Sequence, residues 1–225
     1  MSAILFDMDG TLIDSEPLWL QAEIEVMAAV GCKWDGQDQI NCLGGPLERT
    51  EKYMQERSNH IKPYGYFGEQ LFAVMEEKLS NHLELIPNAL ELLAQCKNAN
   101  IKVALVTASS RRLMQAALTW FPDETFAAVV SRDDVEITKP DPAPYLLAAK
   151  LIGVDIRSCL VFEDSITGAQ SGLRSGAQVI GIPHLIEMPD DPNLRVVKSL
   201  SDIDLPKLLD LSLIHILTLP TKRIV

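Results

Sequence analysis

The stretch that decides the fold lies near the start of the chain and reads Ala3-Ile4-Leu5-Phe6-Asp7-Met8-Asp9-Gly10-Thr11. Its four leading apolar residues are typical of a strand buried on both faces of a parallel sheet. In an extended chain the side chains of Asp7 and Asp9 point to the same side. Because two unscreened carboxylates repel each other, the pair needs a cation or a shared proton. On this motif alone, a polar strand end followed by an Asp-Gly turn remains an alternative.

The rest of the chain alternates short apolar runs with helical patterns. The further strand-like runs are residues 101–107, 126–131, 159–162 and 179–182. The helical patterns between them are residues 88–98, 110–120, 142–151 and 166–175. This alternation predicts an α/β protein with a parallel sheet and helices on both of its faces.

The interval between Phe6 and Ile101 breaks the alternation, since it contains no convincing strand. It holds three helical patterns, namely Trp19 to Val30 at helical spacing, residues 46–57 and residues 67–82. We therefore expect a helical cap over residues 16–85, inserted into a core of residues 1–15 and 86–211. Its expected hinges are residues 13–17 and 84–87.

The last residues are interpreted separately from the core. The run Leu211-Ser212-Leu213-Ile214-His215-Ile216 resembles the translation of a transposase-type sequencing adapter. We therefore interpret residues 212–225 as a non-native tail and leave them out of the functional argument. A genuine terminal strand is the alternative.

The composition and net charge of the chain indicate which kinds of binding partner it has. The chain has 225 residues, and 31 acidic against 20 basic side chains give a net charge of −11. Such a surface repels polyanions, which argues against nucleic-acid binding. The four cysteines form no C-x-x-C pair, and no apolar run approaches the ~18 residues of a membrane helix. We therefore expect a cytoplasmic monomer or weak dimer that binds no membrane.

Three more predicted strands end in residues that could carry chemistry. Thr107 is followed by Ala108 and two serines at a helix start, which forms an anion site or simply a helix cap. Lys139 precedes Pro140, which could present its ammonium group to a phosphate or leave it solvated. Glu163 and Asp164 directly follow an apolar run, as ligands of a hard cation or as a helix cap.

Together these residues resemble the haloacid dehalogenase-like hydrolase superfamily. The resemblance rests on D-x-D-G-T at residues 7–11, a strand ending in Thr107, K-P-D-P at residues 139–142 and E-D-S at residues 163–165. It implies a Rossmann-like core with a helical cap and a Mg²⁺-dependent phosphatase activity.

The same resemblance implies a role for each residue. Asp7 is the nucleophile that forms an aspartyl-phosphate, and Asp9 is the general acid and base. The implied Mg²⁺ ligands are Asp7, the Asp9 carbonyl and Asp164, with Glu163 in or near the shell. Lys139 offsets the charge on Asp7. Phosphate oxygens are held by Thr107 and the Ala108 N–H.

The substrate is expected to be a small phosphorylated metabolite, such as a sugar phosphate or phosphoglycolate. Gly44 and Gly45 shape a cap loop that is expected to face the site. Arg49 either binds a substrate hydroxyl or second anion, or is a solvated residue at a helix start. A mutase resembling β-phosphoglucomutase and a non-catalytic binding protein remain alternatives. A dinucleotide-dependent dehydrogenase is disfavoured, because no G-x-G-x-x-G follows the first strand.

Overall fold

The first strand, β1 (Ala3–Phe6), lies inside a six-stranded parallel sheet in the computed structural model, which describes residues 1–42, 47–183 and 188–210. Across the sheet the strands follow the order β5-β4-β1-β6-β7-β8. Their bounds are β4 (Lys102–Val106), β5 (Ala128–Val130), β6 (Cys159–Glu163), β7 (Gln178–Gly181) and β8 (Leu194–Val196). Strands β4 and β6 flank β1 and pair with all four of its residues. The carboxyl ends of the three strands therefore lie side by side.

Alternate residues of β1 pack into two separate hydrophobic clusters, one on each face of the sheet. Ile4 and Phe6 pack with helices α5 (Ala89–Asn98), α6 (Arg111–Leu118) and α9 (Leu205–Asp210). Ala3 and Leu5 pack with α7 (Ala143–Ile152) and α8 (Ile166–Ser175). The predicted parallel sheet with helices on both faces is thus confirmed.

In the described part of the chain, four helices lie between the two short strands β2 (Ile13–Asp14) and β3 (Glu84–Leu85). They are α1 (Glu16–Ala28), α2 (Gly36–Cys42), α3 (Leu47–Arg57) and α4 (Tyr66–Asn81). The sequence predicted three, and it missed α2 because Gly36-Gln37-Asp38-Gln39-Ile40-Asn41-Cys42 shows no apolar stripe. Strands β2 and β3 pair antiparallel inside the two segments that were expected to be hinges. The boundaries of a cap at residues 16–85 stay a prediction.

A buried carboxylate organises the start of α4. Glu51, on α3, accepts hydrogen bonds from the backbone N–H groups of Gly65 and Gly68 at 2.9 and 2.6 Å. These N–H groups lie at the start of α4, where backbone N–H groups have no acceptor within their own helix. A negative charge there is also stabilised by the helix dipole. Glu51 therefore ties α3 to α4.

The helical segment is docked on the sheet domain through α4 and α6. The indole Nε1 of Trp120 donates to the carbonyl of Leu79 at 2.6 Å. Arg112 on α6 forms an ion pair with Glu76 on α4. These contacts fix one side of the helical segment to the sheet domain.

Three short strands differ from the expectations, namely β2 and β3, which lie in an interval expected to hold no strand, and β8. Strand β8 was not predicted, since it is a three-residue edge strand that is only half-buried. The interpreted tail, residues 212–225, lies outside the described residues. Within the described ranges, no helix combines the length and apolar character that a bilayer crossing requires.

Candidate active site

Polar side chains follow three neighbouring strands at one edge of the sheet. Asp7 comes directly after β1, Thr107 directly after β4, and Glu163 is the last residue of β6. Backbone bonds continue past the strand ends, since Asp7 N donates to the Phe162 carbonyl at 3.0 Å and Thr107 N to the Val130 carbonyl at 2.9 Å. The carboxyl ends of parallel strands are where open α/β sheets bind ligands.

Lys139 lies at the centre of this group. Its Nζ is 2.5 Å from Asp7 Oδ1, 2.7 Å from Glu163 Oε1 and 2.8 Å from the carbonyl oxygen of Val106. Its side chain is only 3% exposed. All three donor positions of the ammonium group are thus directed at oxygens, which fixes the lysine firmly beside Asp7.

Glu163 is fully buried and has partners on both carboxylate oxygens. Besides Lys139, its Oε1 accepts a hydrogen bond of 2.6 Å from the hydroxyl of Tyr145, and its Oε2 accepts one of 3.0 Å from Ser165 Oγ. The ring of Tyr145 lies under Lys139, with Nζ 5.0 Å from its centroid. Sequence reasoning missed Tyr145, because a buried aromatic residue on α7 looks like any core residue.

Asp9 is surrounded by hydroxyl groups. Its Oδ1 accepts from Ser15 Oγ at 2.8 Å, and its Oδ2 accepts from Ser109 Oγ at 2.8 Å and from Thr107 Oγ1 at 3.2 Å. Ser15 precedes α1, so the hydroxyls come from both the helical segment and the sheet domain. The sequence offered Ser109 only as a helix cap, whereas the cap of α6 is Ser110.

Two glycines make room for the carboxylates. A Cβ on Gly10, whose φ is +75°, would lie 2.1 Å from Asp164 Oδ2. A Cβ on Gly168 would lie 1.8 Å from Glu163 Oε1. Neither position accepts a larger residue unless a carboxylate moves.

The electrostatics show an excess of negative charge. Burial raises the pKa of Asp7 well above its usual value, opposed by Lys139 and reinforced by Glu163, Asp164 and Asp9. Burial and the nearby Glu163 raise the pKa of Asp164 to about 8. Burial alone would lower the pKa of Lys139, but Asp7 and Glu163 outweigh it and raise that pKa. One ammonium group thus faces four carboxylates.

A divalent cation fits this donor set. Ligand oxygens of Asp7, Glu163 and Asp164 lie within 4.8 Å of one another. Carboxylate oxygens are the ligands that Mg²⁺ prefers. A double positive charge would offset both the burial and the carboxylate repulsion that raise the pKa of Asp7 and Asp164. Because the oxygens of Glu163 already bind Lys139, Tyr145 and Ser165, Asp7 and Asp164 are the better candidates for direct ligands.

Of the remaining candidate residues, Ala108 adjoins the site, Arg49 has no hydrogen bond to it in the described part of the chain, and Gly44 and Gly45 are not among the described residues. Ala108 is exposed and directly follows Thr107 at the end of β4. Arg49 donates to the carbonyl of Asn41 at 2.5 Å, at the end of α2, and in the described part of the chain it has no hydrogen bond to the cluster. Gly44 and Gly45 lie outside the described residues.

Comparisons with known proteins identify the family of this chain. Residues 4–182 match the family model described as haloacid dehalogenase-like hydrolase. Hexitol phosphatase B of Escherichia coli K12 is 33% identical over 215 residues, covering 93% of this chain and 94% of that protein. The structure of CbbY from Rhodobacter sphaeroides in complex with phosphate has a TM-score of 0.73 and 25% identity, covering 88% of this chain and 94% of that one. A CbbY variant in complex with xylulose-1,5-bisphosphate has the same TM-score, identity and coverage.

Proposed function

Since the chain belongs to the haloacid dehalogenase-like hydrolase family and is a phosphatase, we propose that it hydrolyses small phosphomonoesters with Mg²⁺ through an aspartyl-phosphate on Asp7. The observation that carries this proposal is the buried contact of 2.5 Å between Lys139 Nζ and Asp7 Oδ1. Lys139 opposes the effect of burial on the pKa of Asp7 and so favours the ionised form, which is the nucleophilic one.

In the first step Asp7 attacks phosphorus. Lys139 occupies Oδ1, and no described residue donates a hydrogen bond to Oδ2, so Oδ2 is the attacking oxygen. A bond forms between Oδ2 and phosphorus while the bond between phosphorus and the ester oxygen breaks. Asp9 gives its proton to that leaving oxygen.

In the second step water releases the phosphate. Asp9, now ionised, takes a proton from a water molecule while the oxygen of that water attacks phosphorus. The bond between phosphorus and Asp7 Oδ2 then breaks. The hydroxyls of Ser15 and Ser109 hold the Asp9 carboxylate in place between the two steps. Asp9 is thus reprotonated and Asp7 is free again.

The phosphoryl group is bound by charge and by N–H groups. The Ala108 N–H and the Thr107 hydroxyl, once turned from Asp9, donate to its oxygens. The charge of Lys139 and the start of α6 supply positive potential. Asp7, Asp164 and the Asp9 carbonyl would hold Mg²⁺, which would supply positive charge to neutralise the transferred group.

The substrate class is proposed from the relatives. Hexitol phosphatase B takes its name from hexitol phosphates, and the CbbY variant was solved with a sugar bisphosphate. We assign this chain a sugar or sugar-alcohol phosphate.

Phosphate release tests the proposal. Wild type, Asp7→Asn and the exposed control Asp123→Asn are compared on sugar phosphates, hexitol phosphates, phosphoglycolate and nucleotides, with Mg²⁺ and with EDTA. We expect release that EDTA abolishes and that Asp7→Asn lowers by more than about a thousandfold. Rapid quenching and mass spectrometry should find one phosphoryl group on Asp7. An active Asp7→Asn variant would falsify the mechanism. Isomer formation that needs a sugar bisphosphate would establish the mutase instead.

A further inference from the structure

Glu23 on α1 is a buried acid that the proposed chemistry does not use. The residue is 4% exposed, and its Oε2 accepts a hydrogen bond of 2.9 Å from Trp34 Nε1. Among the residues that the structure describes, none donates to its Oε1. Oε1 is not among the fully buried side-chain atoms of the described ranges that lack a partner, so it is open to a donor from outside the protein.

The hydrogen bond from Trp34 does not explain why residue 23 is a glutamate. An indole N–H needs a single acceptor, which a neutral glutamine would supply without burying a charge. The charged groups that act on Glu23 are Glu16 and Asp38, both acidic, and burial raises its pKa to about 7. Glu23 thus costs stability, as residues at functional sites often do.

The position of Glu23 relates it to Asp9. Ser15, which donates to Asp9, is followed by Trp19 and Glu23 at intervals of four residues, so the three lie along one side of α1. Glu23 lies about 12 Å along the helix from Ser15. It also acts electrostatically on Cys42, the last residue of α2. This side of α1 therefore leads from the general acid into the helical segment.

We propose that Glu23 is a specificity-determining residue whose Oε1 accepts hydrogen bonds from hydroxyl groups of the substrate's leaving group. This inference rests on the proposed function. A carboxylate with a free oxygen binds a sugar or sugar alcohol well, because hydroxyls donate to it. The same charge repels the carboxylate of phosphoglycolate, so the preferred substrate is a polyhydroxylated phosphate ester.

Two substrates separate this role from a structural one. Wild type, Glu23→Gln and the control Glu25→Gln, an exposed acid on the same helix, are compared on sorbitol 6-phosphate and on p-nitrophenyl phosphate, which has no hydroxyl group outside its phosphate. We expect Glu23→Gln to lower kcat/KM for sorbitol 6-phosphate about tenfold, mainly through KM, and to leave p-nitrophenyl phosphate unchanged. Glu25→Gln should change neither.

Equal losses on both substrates, or no loss on either, would overturn the role of Glu23. Absence of Asp7-dependent release from every substrate in wild type would instead overturn the proposed function. If Glu23→Gln does not fold, wild type is assayed on singly deoxygenated sorbitol phosphates. Removal of one particular hydroxyl should then lower kcat/KM by the same order, and equal values across the series would contradict the inference.

Discussion

The ammonium nitrogen of Lys139 lies 2.5 Å from Asp7 Oδ1, although 132 positions separate the two residues in the chain. Both side chains are more than nine-tenths buried. The two charges of a buried pair depend on each other, because removal of one partner leaves the other charge buried without compensation, which is strongly destabilising. The contact therefore links the stability of the sheet edge to the charge state of Asp7, the proposed nucleophile.

Replacement of this lysine tests the coupling. We expect Lys139→Met to abolish phosphate release and to lower the free energy of unfolding by about 3 kcal/mol, since Asp7 and Glu163 lose their cation. Activity assays and urea titrations measure the two effects. The exposed Lys150 offers the control Lys150→Met, which should be near neutral. Near wild-type turnover in Lys139→Met would contradict the site.

Tyr145→Phe removes only a hydroxyl group. Glu163 then loses its bond of 2.6 Å, and it holds Lys139 less firmly. We expect kcat to fall about tenfold with little change in KM, as for the loss of one hydrogen bond to a charged group. Tyr53→Phe, which removes a hydroxyl bonded to Asp38 in the helical segment, is the matched control and should leave kcat unchanged. A Tyr145→Phe enzyme with normal kcat would assign the tyrosine to packing alone.

Gly168→Ala reverses the usual helix preference. In a helix interior alanine is favoured over glycine by up to ~1 kcal/mol, but here the new methyl would lie 1.8 Å from Glu163 Oε1. We expect turnover to fall about a hundredfold, because the carboxylate that holds Lys139 must move. Gly36→Ala is the control, since nothing lies within 4 Å of the added methyl. Turnover of Gly168→Ala and Gly36→Ala is measured side by side. Equal turnover would show that a methyl group at position 168 does not disturb Glu163.

Glu23 makes stability depend on pH. Its pKa is raised from 4.5 to about 7 in the folded protein by burial. A folded-state pKa above the unfolded value gives stability that is fully present below pH 4.5 and lost as the pH rises through about 7. Relative to Glu23→Gln, wild type should lose about 2 to 3 kcal/mol between about pH 5 and pH 8. Urea titrations at both pH values measure this difference, and parallel curves for the two proteins would show that Glu23 does not titrate there.

The sheet was predictable because its strands are apolar runs bounded by polar residues. Strand β1 was predicted residue for residue, and its two acids, with Thr107, Lys139, Glu163 and Asp164, meet at one edge as parallel pairing requires. Strand β8 and helix α2 escaped, since neither has a continuous apolar face. The cytoplasmic location and the monomeric or weakly dimeric state stay predictions.

Supporting residues were harder to find than the acids. Ser15, Ser109 and Tyr145 contact the site only because the fold brings them there, and the chain carries many residues of the same types in ordinary roles. The need for a glycine at position 168 cannot be predicted from the sequence either, because it depends on where the Glu163 carboxylate lies in the fold.

The pairing of β2 with β3 has a further consequence. Asp14 lies opposite Glu84, so the chain leaves for the four helices and returns from them at the same place. A segment with adjacent ends can be lengthened, shortened or exchanged without a change in the strand order of the sheet. Evolution can thus replace the helical segment while the sheet edge that carries Asp7 is kept unchanged.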